Sequence, residues 1–319
     1  MKVLALTNMY PTAAVPHYGI FVRGTLDAIR HADPEIAIDL LFVNGRASKL
    51  AYAAAPLRVL RASDAGYDLI HTHYGLLAGA GALFRGPRLI TFYGSDVEMP
   101  AQFRWAKPFV PRYEGVVVMN ERMRERVARP DALILPPGID LERFAPLDRA
   151  EARRRLGLDA GARYVLFPSS PDRRVKRYDL FCAVVEHAAR ARAGVAPLIL
   201  GTPGRDDADL PWVYAAADVL LLTSDSEGSP TVVKEALATN LPVVSVDVGD
   251  VRTLLGDSRP AHVVASREPA ALAAAVVEVL DAGVRSDGRA HAAHLSIDAT
   301  ARAYAALYRR LAGARAAAS

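Results

Sequence analysis

Residues 219–246 read VLLLTSDSEGSPTVVKEALATNLPVVSV, and this stretch decides the fold. The apolar run Val219–Leu222 is a buried strand, and a polar loop carrying Glu227 follows it directly. Ser229 occupies a good N-cap position, and Pro230 has the fixed φ that suits a first helical turn. A helix over Thr231–Thr239 follows, Pro242 opens the way to the next run, and Val243–Val246 is a second strand. Strand, loop, helix and strand in this order make one winding of a parallel sheet. Such sheets take ligands at the carboxyl ends of their strands, so the loop carrying Glu227 is where chemistry is expected.

The alternation extends outward in both directions. In the same half, Tyr164–Phe167 and Leu198–Leu200 are strands flanking a helix over Asp179–Arg192. A weaker strand at His262–Val264 precedes helical patterns at Pro269–Leu280 and Ile297–Leu311. The first half repeats the scheme with runs at Val3–Leu6, Ile36–Val43, Leu69–Thr72, Leu89–Phe92, Val116–Met119 and Leu133–Leu135. Between them lie Val22, Leu26 and Ile29 at helical spacing and an Ala/Leu helix around Lys49–Arg61. Continuous apolar strands separated by helices predict parallel sheets covered on both faces. Pro136, Pro137 and Gly138 break the chain and Pro146 follows a polar stretch, so a domain boundary is expected near 136–147. At roughly 150 residues per domain, the 319 residues fit two domains. The expected class is α/β, with two Rossmann-like doubly wound units facing an interdomain cleft.

Composition narrows the function. Lys+Arg 39 against Asp+Glu 35 gives a formal net charge of +4, too small to announce nucleic-acid binding. A hydrophobic fraction of 51% excludes a disordered chain. The single cysteine, Cys182, excludes an internal disulfide framework and a Cys-rich metal site, and it fits a reducing cytosol. The start, MKVLALTNMYPT, lacks the longer apolar core of a secretory signal, and no run approaches the ~20 residues that span a bilayer. A cytoplasmic location is the expectation. The first strand is followed by TNMYPTAAV instead of a G-x-G-x-x-G turn, which disfavours a nicotinamide dehydrogenase.

The helix start after Glu227 has its own chemistry. Free N–H groups at Thr231 and Val232, with the positive end of the helix dipole, form an anion site. Glu235 lies one turn further in, on the face of Thr231. A loop carboxylate, a phosphate-ready helix start and a helix carboxylate suit a ligand with sugar hydroxyls at both ends and a diphosphate between. An ordinary surface helix with solvated glutamates accounts for the same residues.

Glu227-x7-Glu235 within SDSEGSPTVVKEALATNLPVV resembles the hallmark of retaining glycosyltransferase family 4, the group 1 glycosyltransferases. NMYPTAAVPHYGIFVRG is similar to that family's first loop and helix, DLIHTHYG and LITFYGSDV to its mid-domain segments, and LPPGIDLERFAP to its passage into the second domain. The segments keep the family's order over nearly the whole chain. The resemblance implies a GT-B fold with an acceptor-side domain at 1–145 and a nucleotide-sugar domain at 146–296. A C-terminal helix, about 297–319, would pack back on the first. It implies that Glu235 binds the nucleotide ribose hydroxyls and that Glu227 approaches the donor sugar. The backbone at Gly228, Ser229, Pro230, Thr231 and Val232 would serve the sugar and diphosphate. The donor would be a UDP- or GDP-linked sugar, and the acceptor a carbohydrate, a lipid-linked sugar or a small molecule. Neither a cofactor nor a metal is implied. A GT-B nucleotide-sugar epimerase and a nucleotide-sugar-binding scaffold without transfer activity are the alternatives.

Further candidates carry two readings each. PSSPDRRVKRYDLF follows the strand Tyr164–Phe167, and the family usually places an Arg soon after this strand and a Lys about five residues later. Lys176 fits the Lys; the Arg position falls near Ser170 or Pro171, so Arg173 or Arg174 would have to reach in. A solvated basic turn is the other reading. Gly19 is a backbone approach to diphosphate or a plain turn glycine, and Asn8 and His17 are weaker acceptor-side candidates. His71 and His73 point to one face of a strand, as packing groups or, for His73, on the acceptor side. No third ligand at motif spacing completes a metal site with them. Tyr93 stands where many family members have His; it hydrogen-bonds but is no base at neutral pH. Asp96 holds an acceptor hydroxyl or caps the next segment. The stretch Phe103–Arg129 interleaves basic and aromatic residues, which fits either solvated helix faces or peripheral contact with anionic lipid at the inner face of the cell membrane.

Overall fold

The computed structural model describes residues 1–15, 18–202 and 207–316. Contacts divide the chain into two compact units, Met1–Gly138 with Ile297–Ser319, and Ile139–Ser296. The division falls ahead of the expected border after residue 145 for a packing reason. Ile139 and Phe144 are buried in the second unit's core, and Arg289 holds the segment by donating to the carbonyls of Leu141 and Phe144.

The first unit holds six strands: β1 (Lys2–Thr7), β2 (Ala37–Phe42), β3 (Leu69–His73), β4 (Arg88–Thr91), β5 (Gly115–Val118) and β6 (Leu133–Ile134). They run parallel in the order β2-β1-β3-β4-β5-β6. The long helix Ile297–Ala316 belongs to this unit, burying Ala301, Tyr304, Tyr308 and Leu311 in the same core as Val22, Leu26 and Ile29. Chain order reverses between β1 and β3, which makes their carboxyl ends the topological switch point.

The second unit holds β7 (Arg163–Phe167), β8 (Val195–Ile199), β9 (Val219–Leu222), β10 (Val243–Val246) and β11 (Ala261–Val264) in the parallel order β11-β10-β9-β7-β8. All four residues of β9 are fully buried, as a central strand covered on both faces requires. Pro197 is tolerated because β8 is an edge strand. The switch point here lies between β7 and β9, after Phe167 and Leu222.

Candidate active site

In the second unit, the two loops leaving the switch point bring Lys176 and Glu227 together. After β7 the chain makes a short helical turn, Arg174–Lys176. Two residues of the β9 loop clamp it: Thr223 Oγ1 donates to the Lys176 carbonyl at 2.9 Å, and the Asp225 N–H to the Val175 carbonyl at 2.8 Å. Lys176 Nζ then lies 2.5 Å from Glu227 Oε1, with the two side chains only 11% and 12% exposed. Each charge satisfies the other in a setting that water barely reaches. The neighbouring cations do other work. Arg177, in the left-handed region at φ 54, pairs with Asp179 and Asp225. Arg173 and Arg174 are exposed and form no ion pair among the described residues.

Beyond Glu227 the chain enters the helix Thr231–Ala238. Its N-cap is Pro230, in extended backbone at φ −69 and ψ 112, and not Ser229 as the sequence suggests. The Pro230 carbonyl accepts the first helical bond, from Val233 N–H at 3.1 Å, while Ser229 Oγ is buried beside Asp250 and caps nothing. The first N–H groups, at Thr231 and Val232, still have no partner within the helix. Glu235 lies one turn in, half-buried, and accepts a hydrogen bond from the phenol of fully buried Tyr214. That phenol fixes the carboxylate's direction. Tyr214 comes from the preceding helix, Leu210–Ala216, and only the folded chain brings it near.

Three more residues were not legible as site residues. Gly249 adopts φ 58, and a Cβ there would lie 3.0 Å from the carbonyl oxygens of Glu227 and Gly228. Asp250 follows it, its carboxyl pushed up to about 6 by burial against the pull of Ser229 and Lys234. Lys234 is fully buried, and burial pulls its amine down to about 8 against the attraction of Asp250 and Glu235.

The first unit's switch point is furnished differently. Gly19 takes φ 74 at the N-cap of the helix Ile20–Ala32, and a Cβ would fall 2.4 Å from the Met9 carbonyl carbon. The turn alone demands glycine there. Asn8 donates to the Tyr52 hydroxyl at 3.0 Å; His17 lies outside the described residues. His71 is held between Tyr308 Oη at 2.6 Å and Thr91 Oγ1 at 2.8 Å. His73 Nδ1 meets the Tyr93 hydroxyl at 2.7 Å, and burial drives its pKa down to about 3, so the ring is neutral. Its Nε2 is buried without a hydrogen-bond partner among the described residues. Asp96 spends its carboxylate on the N–H groups of Tyr93, Gly94 and Gly75 at 2.9–3.0 Å, which is capping geometry. Among the described residues no three His, Cys, Asp or Glu are grouped to hold a metal ion.

Two parallel-sheet Rossmann-like units are the architecture found in the GT-B class of glycosyltransferases. Family models agree on both halves: one described as Glycosyltransferase Family 4 matches residues 17–143, and one described as Glycosyl transferases group 1 matches residues 176–282. The D-inositol 3-phosphate glycosyltransferase of Geodermatophilus obscurus is 30% identical over 83% of this chain and 72% of that protein. The protein named as the teichuronic acid biosynthesis glycosyltransferase TuaC of Bacillus subtilis is 28% identical over 76% of this chain, and the match spans 65% of its own length. Among solved structures, sucrose-phosphate synthase from Thermosynechococcus elongatus shares the fold with a TM-score of 0.79 at 21% identity, covering 98% of this chain and 99% of that one. Anabaena HepE, solved in complex with UDP, gives 0.74 at 17% identity over 98% and 100%. The chain belongs to the group 1, family 4 glycosyltransferases.

Proposed function

We propose that the protein is a retaining, metal-independent glycosyltransferase that moves a hexose from a nucleoside-diphosphate sugar, UDP- or GDP-linked, to a carbohydrate, lipid-linked or small-molecule acceptor. The observation that carries this reading is the Lys176–Glu227 pair beside the start of the helix Thr231–Ala238. As the bond between the sugar C1 and the phosphate oxygen breaks, charge gathers on the leaving diphosphate. Lys176 and the first N–H groups of the helix supply fixed positive charge for it. Glu227 faces the donor sugar and Glu235, oriented by Tyr214, the ribose hydroxyls. The acceptor oxygen bonds C1 on the face the diphosphate leaves, and its proton passes to the departing phosphate oxygen.

The relatives named for teichuronic acid biosynthesis and for inositol 3-phosphate glycosylation support a setting in bacterial polysaccharide, glycolipid or glycoside biosynthesis, and the UDP complex of HepE supports the donor class. Among the described residues no helix is long and apolar enough to cross a membrane. We place the protein in the cytoplasm, at the inner membrane face when the acceptor is lipid-linked. The test is a thermal-shift screen with UDP and GDP, followed by turnover with UDP- and GDP-sugars. A binder of the folded state raises its apparent stability, and slow donor hydrolysis or transfer with retained configuration is expected. Isomerised donor without acceptor indicates an epimerase, and binding without turnover in acceptor extracts indicates a scaffold. Either result overturns the proposal.

A further inference from the structure

The backbone that carries Glu227 leans on residues that the proposed mechanism does not use. Gly249 presses on the carbonyls of Glu227 and Gly228, and a Cβ there would also come within 3.1 Å of Glu227 Cβ. Next in the chain, Asp250 Oδ1 is buried, as is the nearby Ser229 Oγ, and neither makes a well-formed hydrogen bond among the described residues. Lys234, on the helix that starts just past Ser229, has none of its surface exposed. A lysine so deep costs free energy unless an opposite charge answers it. Asp250 and Glu235 are the carboxylates that attract it, and Asp250 in turn feels Lys234, Ser229 and Glu227.

We infer that Lys234 and Asp250 are buried opposite charges beside the Glu227–Ser229 segment that cancel one another, Lys234 keeping the Asp250 carboxylate from opposing the diphosphate. This rests on reading that segment as the diphosphate site. Neither side chain touches substrate. The arrangement has a sign. Removing Lys234 leaves the Asp250 carboxylate uncompensated beside an anionic ligand, whereas removing the Asp250 charge leaves a cation, which an anion tolerates. A role in packing alone has no such asymmetry.

The experiment compares UDP and GDP binding by calorimetry and donor KM and kcat for the full chain and its Lys234→Met, Asp250→Asn and double variants. All are measured well below each variant's Tm. Lys234→Met is expected to weaken nucleotide binding and raise donor KM about tenfold, and Asp250→Asn to change either by less than about threefold. The double variant returns to within about threefold of the parent, because the stranded charge is gone. If Lys234→Met does not fold, Lys234→Gln carries the same comparison. Equal losses in both single variants that the double variant does not repair leave only packing and overturn the inference. Unchanged binding and KM in Lys234→Met overturn it alone. A parent chain that binds neither UDP nor GDP overturns it together with the donor reading.

Discussion

The two switch points share an architecture and differ in chemistry. At the ends of β1 and β3 the first unit presents neutral groups: the Asn8 amide and the His73–Tyr93 pair. The Asp96 carboxylate beside them is occupied by three backbone N–H groups. At the ends of β7 and β9 the second unit gathers Lys176, Glu227, Lys234, Asp250 and Glu235 around a helix start. Neutral hydroxyl and imidazole groups suit a polyhydroxylated partner, and paired charges with a helix dipole suit a diphosphate. The same winding therefore provides a position for chemistry, and the side chains decide which.

The sharpest way to break that contrast is to remove charge from the second unit. Lys176→Ala is expected to lower kcat by about a hundredfold or more, as when a fixed donor to a developing anion is lost. Glu235→Gln, which loses a charged acceptor for the ribose hydroxyls, is expected to lower kcat/KM by about tenfold or more. Both variants should keep the parent's far-UV spectrum. Full activity in both would mean that transfer does not use this switch point, and the contrast would be incidental.

Acid separates the units next. Burial drives His73 down to about 3 and His71 well below its usual value, so the folded first unit binds fewer protons than its unfolded chain. Stability is then full above about pH 6.5 and is lost as pH falls, by up to about 1.4 kcal/mol per pH unit for each ring. Asp96, raised to about 6, acts with the opposite sign between there and its ordinary value, but one carboxyl opposes two imidazoles. A net loss of about 2 kcal/mol is expected between pH 7 and pH 5. Urea unfolding followed by Trp105, in a Trp212→Phe variant, reads the first unit alone. A midpoint that is flat or rises toward pH 5 would show the histidines to be charged in the fold.

A smaller effect tests the neutral pair directly. Tyr93→Phe takes the hydroxyl from His73 Nδ1 in a ring whose Nε2 already has no partner among the described residues. Stranding a buried polar group costs about 1–3 kcal/mol. The loss is expected in the urea midpoint, with kcat changed less than tenfold, roughly the limit for a single neutral hydrogen bond. A larger fall in kcat would move chemistry into the first unit.

What the sequence made legible follows from how far each signal reaches. Val219–Leu222 is visible because a strand buried on both faces writes an unbroken apolar run. Lys176 and Glu227 each stand just after such a run, so strand order suffices to suggest them. Their contact needs β7 and β9 to be neighbours, which no local pattern states. The cap falls on Pro230 and not on Ser229, whose Oγ is buried and bonds no N–H of the helix start, a side-chain direction that no local pattern states. Tyr214 and Lys234 read as ordinary helix residues until the fold buries one against Glu235 and the other near Asp250. Likewise, pairing Tyr93 with His73 depends on the β3–β4 register, which sets His73 opposite Thr91.

The least effect is expected where charge is plentiful but unanchored. Arg173 and Arg174 share the loop of Lys176, yet both are exposed and neither is ion-paired among the described residues, while Lys176 is buried against Glu227. An exposed cation is screened by water and salt and holds no fixed distance to a leaving group. Each single alanine variant is expected to lower kcat/KM by less than about tenfold, and the loss should shrink further as salt is added. Lys176→Ala should be insensitive to salt by comparison, because its charge acts inside a water-poor pair. An Arg174→Ala or Arg173→Ala variant as inactive as Lys176→Ala, at any salt concentration, would show that the loop closes over the donor and carries that guanidinium to the phosphate.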